Sequence, residues 1–567
     1  MKNTRCFPIV IMLVLSYSFV GAQSLNEKPD PYKKGWHLED HQSTGIYGIS
    51  LDKAYNEFLT GKIPKKKVIV AVIDSGIDTA HEDLKPILWQ NRKEVPGNGI
   101  DDDKNGYIDD IHGWNFIGGK DGKNVGKDSY EAVRVYYKFK PEFGNGPVDE
   151  KTLSEEKRIQ YQLYTKAKIQ IEAQAKEAGM YIMILKDLVA KIPSADSIVK
   201  LSMGKESYTG DELQDFKPSD ASVIKAKSLV LGFFQQTRQM ENTNVSLIAD
   251  LIQFYEGEKS KVEAVEKEPV KYRQDVVKDN YNDINDRFYG NNDLMGTDAS
   301  HGTHVAGIIG ASRQNQVGIN GVANHVEIMT IRAVPDGDEH DKDIANAIRY
   351  AVDNGAWVVN MSFGKSFSPE KKWVDEAVKY AESKGVLLVH AAGNDAKNID
   401  VADNFPSRNF ANDTLKVFSN WINVGASGAS DTDLAASFSN YGKREVNVFA
   451  PGVKIYSSIP GGNTYGDKDG TSMASPVVAG LAALILSYYP DLTAEQVKLI
   501  IERSALKPST SSFTKPGTED EKTNLDQLSK TGGIVNALDA LKLASTIKGE
   551  RKSSEGNSDK SIKRMKK

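Results

Sequence analysis

Three short stretches of this chain carry the side chains needed to break an acyl bond. Val72-Ile73-Asp74-Ser75-Gly76-Ile77-Asp78 ends an apolar run on a carboxylate. His301-Gly302-Thr303-His304-Val305-Ala306-Gly307 opens a helical stretch with an imidazole, and Gly470-Thr471-Ser472-Met473-Ala474-Ser475-Pro476 opens another with a hydroxyl. A serine hydroxyl is a poor nucleophile at neutral pH. It needs a base beside its oxygen and an acid that orients the base. Each stretch also has a plainer reading. A serine at a helix start is often only a cap. Histidines three apart share a helix face and could hold a metal, yet zinc peptidases place a Glu-x-x spacer between theirs, and no Glu separates His301 from His304. Asp78 competes with Asp74, but Asp74 closes the apolar run within Asp-Ser-Gly, and His304 reads as a packed or hydrogen-bonded helix residue.

In chain order the three stretches give Asp, His, Ser, the order found in subtilisin. With these residues in view, the chain resembles the subtilisin-like serine proteases, or subtilases. The resemblance implies a serine endopeptidase that works through an acyl-enzyme. Ser472 would be the nucleophile, His301 the general base and then acid, and Asp74 the group that holds the imidazole in the right tautomer. It implies that Asn394, in Ala391-Ala392-Gly393-Asn394, donates to the oxyanion together with the Ser472 backbone N–H, although Gly-Asn alone is also a turn signal. It implies that Ser362-Phe363-Gly364 pairs with substrate main chain, with Ala333 to Gly337 as its partner on the other side. Ser362, Phe363, Gly364, Ala333 and Gly337 are therefore the expected substrate contacts. Two other uses of the same residues stay open: a binding scaffold that keeps the fold, or a peptide transferase that passes the acyl group to an amine.

Two acidic runs invite separate readings. Asp336, Asp338, Glu339, Asp341 and Asp343 could be solvated acids at a helix start, or could favour basic residues upstream of the cleaved bond. Asp101 to Asp110 places oxygen donors at alternate positions with Gly106 after the third, as loops that hold Ca²⁺ do. His112 stands at the twelfth position in place of Glu, which argues against a full EF-hand. Asp101, Asp103, Asn105, Asp109 and Asp110 are the expected ligands of a structural Ca²⁺. Catalysis itself calls for no cofactor.

Elements that could position these groups follow from the apolar pattern. Val68 to Ile73 is an unbroken, β-branched run, the pattern of a parallel strand buried on both faces. Similar runs recur at Val326 to Ile331, Trp357 to Met361, Val386 to Ala391 and Val446 to Phe449, with helical stretches such as Asp343 to Asn354 and Glu370 to Lys384 between them. Strand alternating with helix predicts an α/β fold with a doubly wound, mostly parallel sheet, in which chemistry collects beyond the carboxyl ends of the strands. Thr493 and Gln496 form a capping box that opens a helix from Ala494 to Glu502.

A helical module interrupts this pattern. Lys151 to Ala178 lacks Gly and Pro. Ile159, Leu163, Ala167, Ile171, Ala175, Ala178, Ile182, Leu185 and Val189 recur at three- and four-residue spacing, one apolar stripe on a long helix. Further helical patterns span Ala221 to Met240 and Val245 to Tyr255. The expected organisation is a leader over 1–22, an N-terminal segment over 23–67, a subtilase domain over 68–118 and 291–546 split by a helical insertion over 119–290, and a disordered basic tail over 547–567.

Lys2, Arg5, the apolar run Phe7 to Val20 and the small residues at Gly21-Ala22 read as a secretory leader, so the protein is expected to be exported, to the periplasm or beyond. Cys6, the one cysteine, lies inside that leader and leaves a mature chain without disulfides. With 39% hydrophobic residues and a formal net charge of −5, the chain can bury a sizeable core and gives no reason to invoke nucleic acid. Polypeptides are the expected partners, and no stretch after the leader reads as transmembrane.

Overall fold

The computed structural model describes residues 31–551 apart from positions 238, 314, 412, 510 and 511. The expected leader and positions 552–567 of the expected tail lie outside the described residues. Residues 547–551 of that tail are packed: Arg551 Nε donates to Leu492 O at 2.9 Å, and its guanidinium lies over the Trp357 ring. The described chain forms two compact units, one made of 31–131 with 271–551, the other of 132–270.

The first unit is built on seven strands: β1 (Val68–Asp74), β2 (Gly113–Asn115), β3 (Val326–Arg332), β4 (Val358–Met361), β5 (Leu387–Ala391), β6 (Trp421–Ser427) and β7 (Val448–Pro451). They lie in the order β2-β3-β1-β4-β5-β6-β7, and every neighbouring pair is parallel. Parallel strands need crossovers, which cover both faces with helices. Four helices position the site: α1 (Ser300–Gly310), α2 (Asp341–Asp353), α3 (Lys371–Ser383) and α4 (Thr471–Tyr488).

The period-2 alternation of β1 sorts its side chains between two cores. Val68, Val70 and Val72 join α1 and α4 in one, while Ala71 and Ile73 join α2 and α3 in the other. Both faces are buried, which is why the run is apolar throughout, and each such Val or Ile contributes about 1.5–3 kcal/mol by leaving water. α4 is the central helix of the first core, with every residue buried. It is also the one helix among the described residues long and apolar enough to cross a membrane, a property it shares with many core helices.

The segment before β1 belongs to this core. Trp36, Ile49, Leu51 and Ala54 are fully buried in it, and Trp36 Nε1 donates to Val453 O at 3.0 Å. On the carboxyl side, the helix Ala494–Arg503 starts at the expected capping box of Thr493 and Gln496.

The second unit is helical. One helix, Glu155–Met203, runs 49 residues, and the helices Ala221–Thr237 and Asn244–Glu263 pack on it. The stripe read from sequence is buried at Ala167, Ile171, Ala178 and Leu185, while Ile159 near its start is exposed. Tyr208 Oη and Asn244 Nδ2 both donate to Asp196 Oδ1 inside this unit, at 2.6 and 2.8 Å. The unit is shorter at both ends than the block read from composition. Val125, Val277 and Tyr289 are buried in the second core of the sheet-bearing unit.

Candidate active site

Asp74 is the last residue of β1, at the carboxyl edge of the sheet. Its Oδ1 accepts from Ser75 N at 2.8 Å and from His301 Nδ1 at 2.7 Å. A carboxylate only accepts, so the proton sits on Nδ1 and the lone pair on Nε2. His301 Nε2 is buried and has no hydrogen-bond partner among the described residues. Gly302 packs against the strand end. A methyl there would lie 2.2 Å from Gly76 O and 3.1 Å from Asp74 Cβ, so only glycine lets α1 approach β1 this closely. Asp78 takes other work, accepting from Ala80 N at 3.0 Å. His304 is fully buried, bonds Gly466 O through Nε2 at 3.0 Å, and is held well below the usual histidine range by burial.

Ser472 lies in the first turn of α4 and is 5% exposed. Helices α1 and α4 run side by side, both from the carboxyl to the amino edge of the sheet. His301 stands by the end of β1, and Val68 N, at the start of β1, bonds His325 O beyond the other end of α1. Ser472 stands by the end of β4, and Ser487, near the end of α4, accepts from Lys65 and Lys66 N just ahead of β1. Gly480 meets Ile309 O, each ten residues into its helix, so the two first turns lie level. Ser472 Oγ does not bond His301 Nε2 here. It donates to Ser362 O at 3.1 Å.

Pro476 lies in the second turn of α4. With no N–H, it leaves Ser472 O without its helical donor. Ser362 Oγ fills that place at 2.9 Å. Asn360 Nδ2 in turn donates to Ser362 Oγ at 3.0 Å, and Ser475 Oγ to Asn360 Oδ1 at 2.8 Å. Asn360, Ser475 and this use of Pro476 escaped the sequence reading, though a polar residue inside the apolar run Trp357 to Met361 was a signal.

Asn394 follows β5. Its Oδ1 accepts from Thr471 N and Thr471 Oγ1, both at 2.9 Å, which fixes the side of its amide. A methyl placed on Gly470 would lie 3.4 Å from Asn394 Nδ2 and 3.5 Å from Ser472 N, so both donors front one small space. Met473 N and Ala474 N return to Gly470 O, which leaves the Ser472 N–H facing that space at the positive end of the α4 dipole.

The two expected substrate segments continue the strands that flank β1: Ala333 to Gly337 follows β3, and Ser362 to Gly364 follows β4. Ala333 N donates to Asp74 O at 3.0 Å. The outer side of this segment is already paired, since Asp336 N donates to Gly126 O and Asp336 O accepts from Asp128 N, both at 2.8 Å. Gly337 packs against Asp128 O. On the other segment, Phe363 O bonds His390 Nε2 at 2.8 Å, and Gly364 faces Asn404 Oδ1 and Phe405 O.

For part of the acidic run at 336–343 both readings give way to a third, while Asp336 stays exposed. Glu339, Asp341 and Asp343 are buried, Asp343 beside the Arg273 guanidinium at 2.7 Å and Asp341 beside the Lys365 ammonium at 2.8 Å. Asp341 and Asp343 are internal ion-pair partners.

In the loop from Asp101 to Asp110, Asp101 and Asp103 converge with Glu94, their ligand oxygens within 4.8 Å of one another. Three hard anionic oxygens in one place suit a divalent cation such as Ca²⁺. The other expected ligands are occupied elsewhere. Asp109 accepts from the N–H groups of Gly97, Asn98 and Gly99. Asp110 accepts from Tyr350 Oη at 2.6 Å, and burial pushes its carboxyl up to about 6. Asn105 Oδ1 accepts from Tyr107 N at 2.8 Å. Glu94 was missed because it stands apart from the acidic run.

The pattern of the subtilase family matches residues 65–531. A thermophilic serine proteinase of Bacillus sp. (strain AK1) is 45% identical over 190 residues, 33% of this chain and 43% of that protein. Subtilisin DY of Bacillus licheniformis is 42% identical over 201 residues, 35% of this chain and 67% of that protein. Thermitase of Thermoactinomyces vulgaris is 36% identical over 240 residues, 41% of this chain and 79% of that protein. The chain thus spans less than half the length of the first of these relatives. Among solved structures, a protease of Pseudoalteromonas arctica PAMC 21717 is 30% identical with a TM-score of 0.35, over 43% of this chain and 70% of that one.

Proposed function

The chain belongs to the subtilase family, and from that membership we propose that it is an exported serine endopeptidase acting on polypeptides through Ser472, His301 and Asp74. The observation that carries this reading is the 2.7 Å bond from His301 Nδ1 to Asp74 Oδ1, which leaves Nε2 bare in the first turn level with Ser472. Turning Ser472 Oγ from Ser362 O to Nε2 lets the imidazole take its proton as the oxygen attacks the scissile carbonyl. The developing oxyanion falls in the space fronted by Asn394 Nδ2 and Ser472 N–H. His301 then gives the proton to the leaving amine, and a water repeats the sequence to release the acyl group. A serine-directed fluorophosphonate should label the protein and block cleavage of casein. A chain that takes up no probe and cuts nothing would overturn the reading.

The topology supports the mode of binding. β1 stops at Asp74 while its neighbours β3 and β4 continue as 333–337 and 362–364. The position of a missing middle strand is left between them, about 9–10 Å wide at two strand spacings. An extended peptide fits that position and is held by its main chain, as strand addition requires. Broad side-chain tolerance follows.

Replacing Asn394 by Ala removes one of two oxyanion donors. It should lower kcat by about 10²–10³, a magnitude carried over from subtilisin, with a smaller change in KM. Steady-state kinetics on a peptide anilide checks it.

Glu94, Asp101 and Asp103 would hold a Ca²⁺ that neutralises their charge and pins the loop. Calorimetric titration with Ca²⁺ should give a binding isotherm for the native chain and none for Asp103→Ala. Equal heats for the two would sink the assignment.

A further inference from the structure

Lys365 directly follows Gly364, and its side chain is only 2% exposed. Lysine is almost never buried unless paired. Its Nζ lies 2.8 Å from Glu131 Oε2 and 2.8 Å from Asp341 Oδ1, and it donates to Glu339 O at 2.8 Å. Glu339 is two residues past Gly337, on the continuation of the opposite substrate segment. Asp341 opens α2 and also accepts from Ser368 Oγ at 3.0 Å and Glu370 N at 2.8 Å, just beyond Lys365. Glu131 N donates to Asp338 Oδ2 at 2.8 Å, so the third partner returns to the segment that carries Glu339. The Lys365 main chain is fixed independently, its N–H and C=O both paired with Phe405 at 2.9 Å. One ammonium therefore joins the continuations of both segments that border the open strand position.

We propose that Lys365 is a positioning residue for extended peptides, setting the separation of the 333–337 and 362–364 segments without touching the reacting atoms. This rests on the reading of those segments as substrate edges. The charges are consistent with a fixed cluster. Burial pushes the Glu339 carboxyl up, against the pull of the Lys365 ammonium, while Glu131 and Asp341 lie in direct contact with that ammonium. Such a cluster favours one backbone geometry, since a buried ammonium that loses a partner bears a large desolvation cost.

The test compares two acylated substrates on the full chain, a tetrapeptide p-nitroanilide that fills the strand position and a single-residue p-nitrophenyl ester that does not. Lys365→Met leaves buried acids uncompensated, so the double variant Lys365→Met with Glu131→Gln is made alongside it, and circular dichroism checks both folds. The expected result is a KM for the tetrapeptide raised about tenfold or more, with kcat/KM for the ester within about threefold of wild type. Equal losses on both substrates, or an unchanged tetrapeptide KM in a folded variant, would overturn the proposal. Loss of the fold in both variants overturns it too, because Lys365 would then serve the whole unit and not the edges. Wild type that cuts both substrates while the folded variants match it on both removes only this inference. Wild type that cuts neither, and takes no fluorophosphonate, removes the protease reading with it.

Discussion

Ser472→Ala should lower kcat on a peptide anilide by about 10⁶-fold and abolish fluorophosphonate labelling, a magnitude carried over from subtilisin. The size of the effect follows from what survives. The oxyanion space before Asn394 Nδ2 and Ser472 N–H depends on the backbone of α4 and on the Thr471 bonds to Asn394, none of which involves the hydroxyl. That preorganised space alone retains a residual acceleration of about 10³–10⁴ over water. Stability should hardly change, because Ser472 Oγ makes a single 3.1 Å bond, to Ser362 O. Unchanged thermal unfolding beside lost turnover separates a chemical role from a structural one. A variant that keeps more than a tenth of wild-type activity would show that another residue attacks.

Asp74→Asn should cost about 10⁴-fold in kcat at neutral pH, a magnitude borrowed from another serine protease. The amide is nearly the shape of the carboxylate, but the Ser75 N–H and His301 Nδ1 both meet Oδ1, at 2.8 and 2.7 Å, so a nitrogen turned toward His301 also gives up the Ser75 bond. An amide nitrogen turned toward His301 donates where the carboxylate accepted. The imidazole then places its lone pair on Nδ1 and its proton on Nε2, the tautomer that cannot take a proton from serine. Probe labelling should be slowed in step with kcat, while KM moves little. Equal slowing of the two rates is the check, and a fall in KM-dependent terms alone would contradict it.

Much of this was legible in the sequence where one physical signal decided the outcome. The apolar run ending in Asp74 could only be a strand buried on both faces, and the box of Thr493 and Gln496 fixed a helix start. The separation of Asp74 from Asp78 followed from strand position and the Asp-Ser-Gly context. β6 was missed although all of Trp421–Ser427 is buried, because Asn423 and Gly425 interrupt its apolar character. The structure shows why they are tolerated: Asn423 bonds His390, Trp421 and the Glu445 carbonyl, and Phe449 lies against Gly425. β2 has three residues, too few for any pattern.

The candidate site was less legible wherever a side chain answers to a partner far along the chain. Nothing near Asp343 foretells Arg273, and nothing near Asp341 foretells Lys365, so an internal charge cluster read as a solvated run. In the same way Glu94 joins Asp101 and Asp103 only through the fold of the loop, and Asp109 leaves them because three backbone N–H groups of 97–99 claim it.

A proline inside a helix is usually counted as a defect, a rung missing from the ladder. At Pro476 the missing rung is a socket, and the group plugged into it, the Ser362 hydroxyl, sits on the rim along which a peptide would lie. Under the proposed function, the segment that would grip a peptide and the residue that would attack it thereby share one hydrogen bond, so a change at Ser362 should be felt at the start of α4.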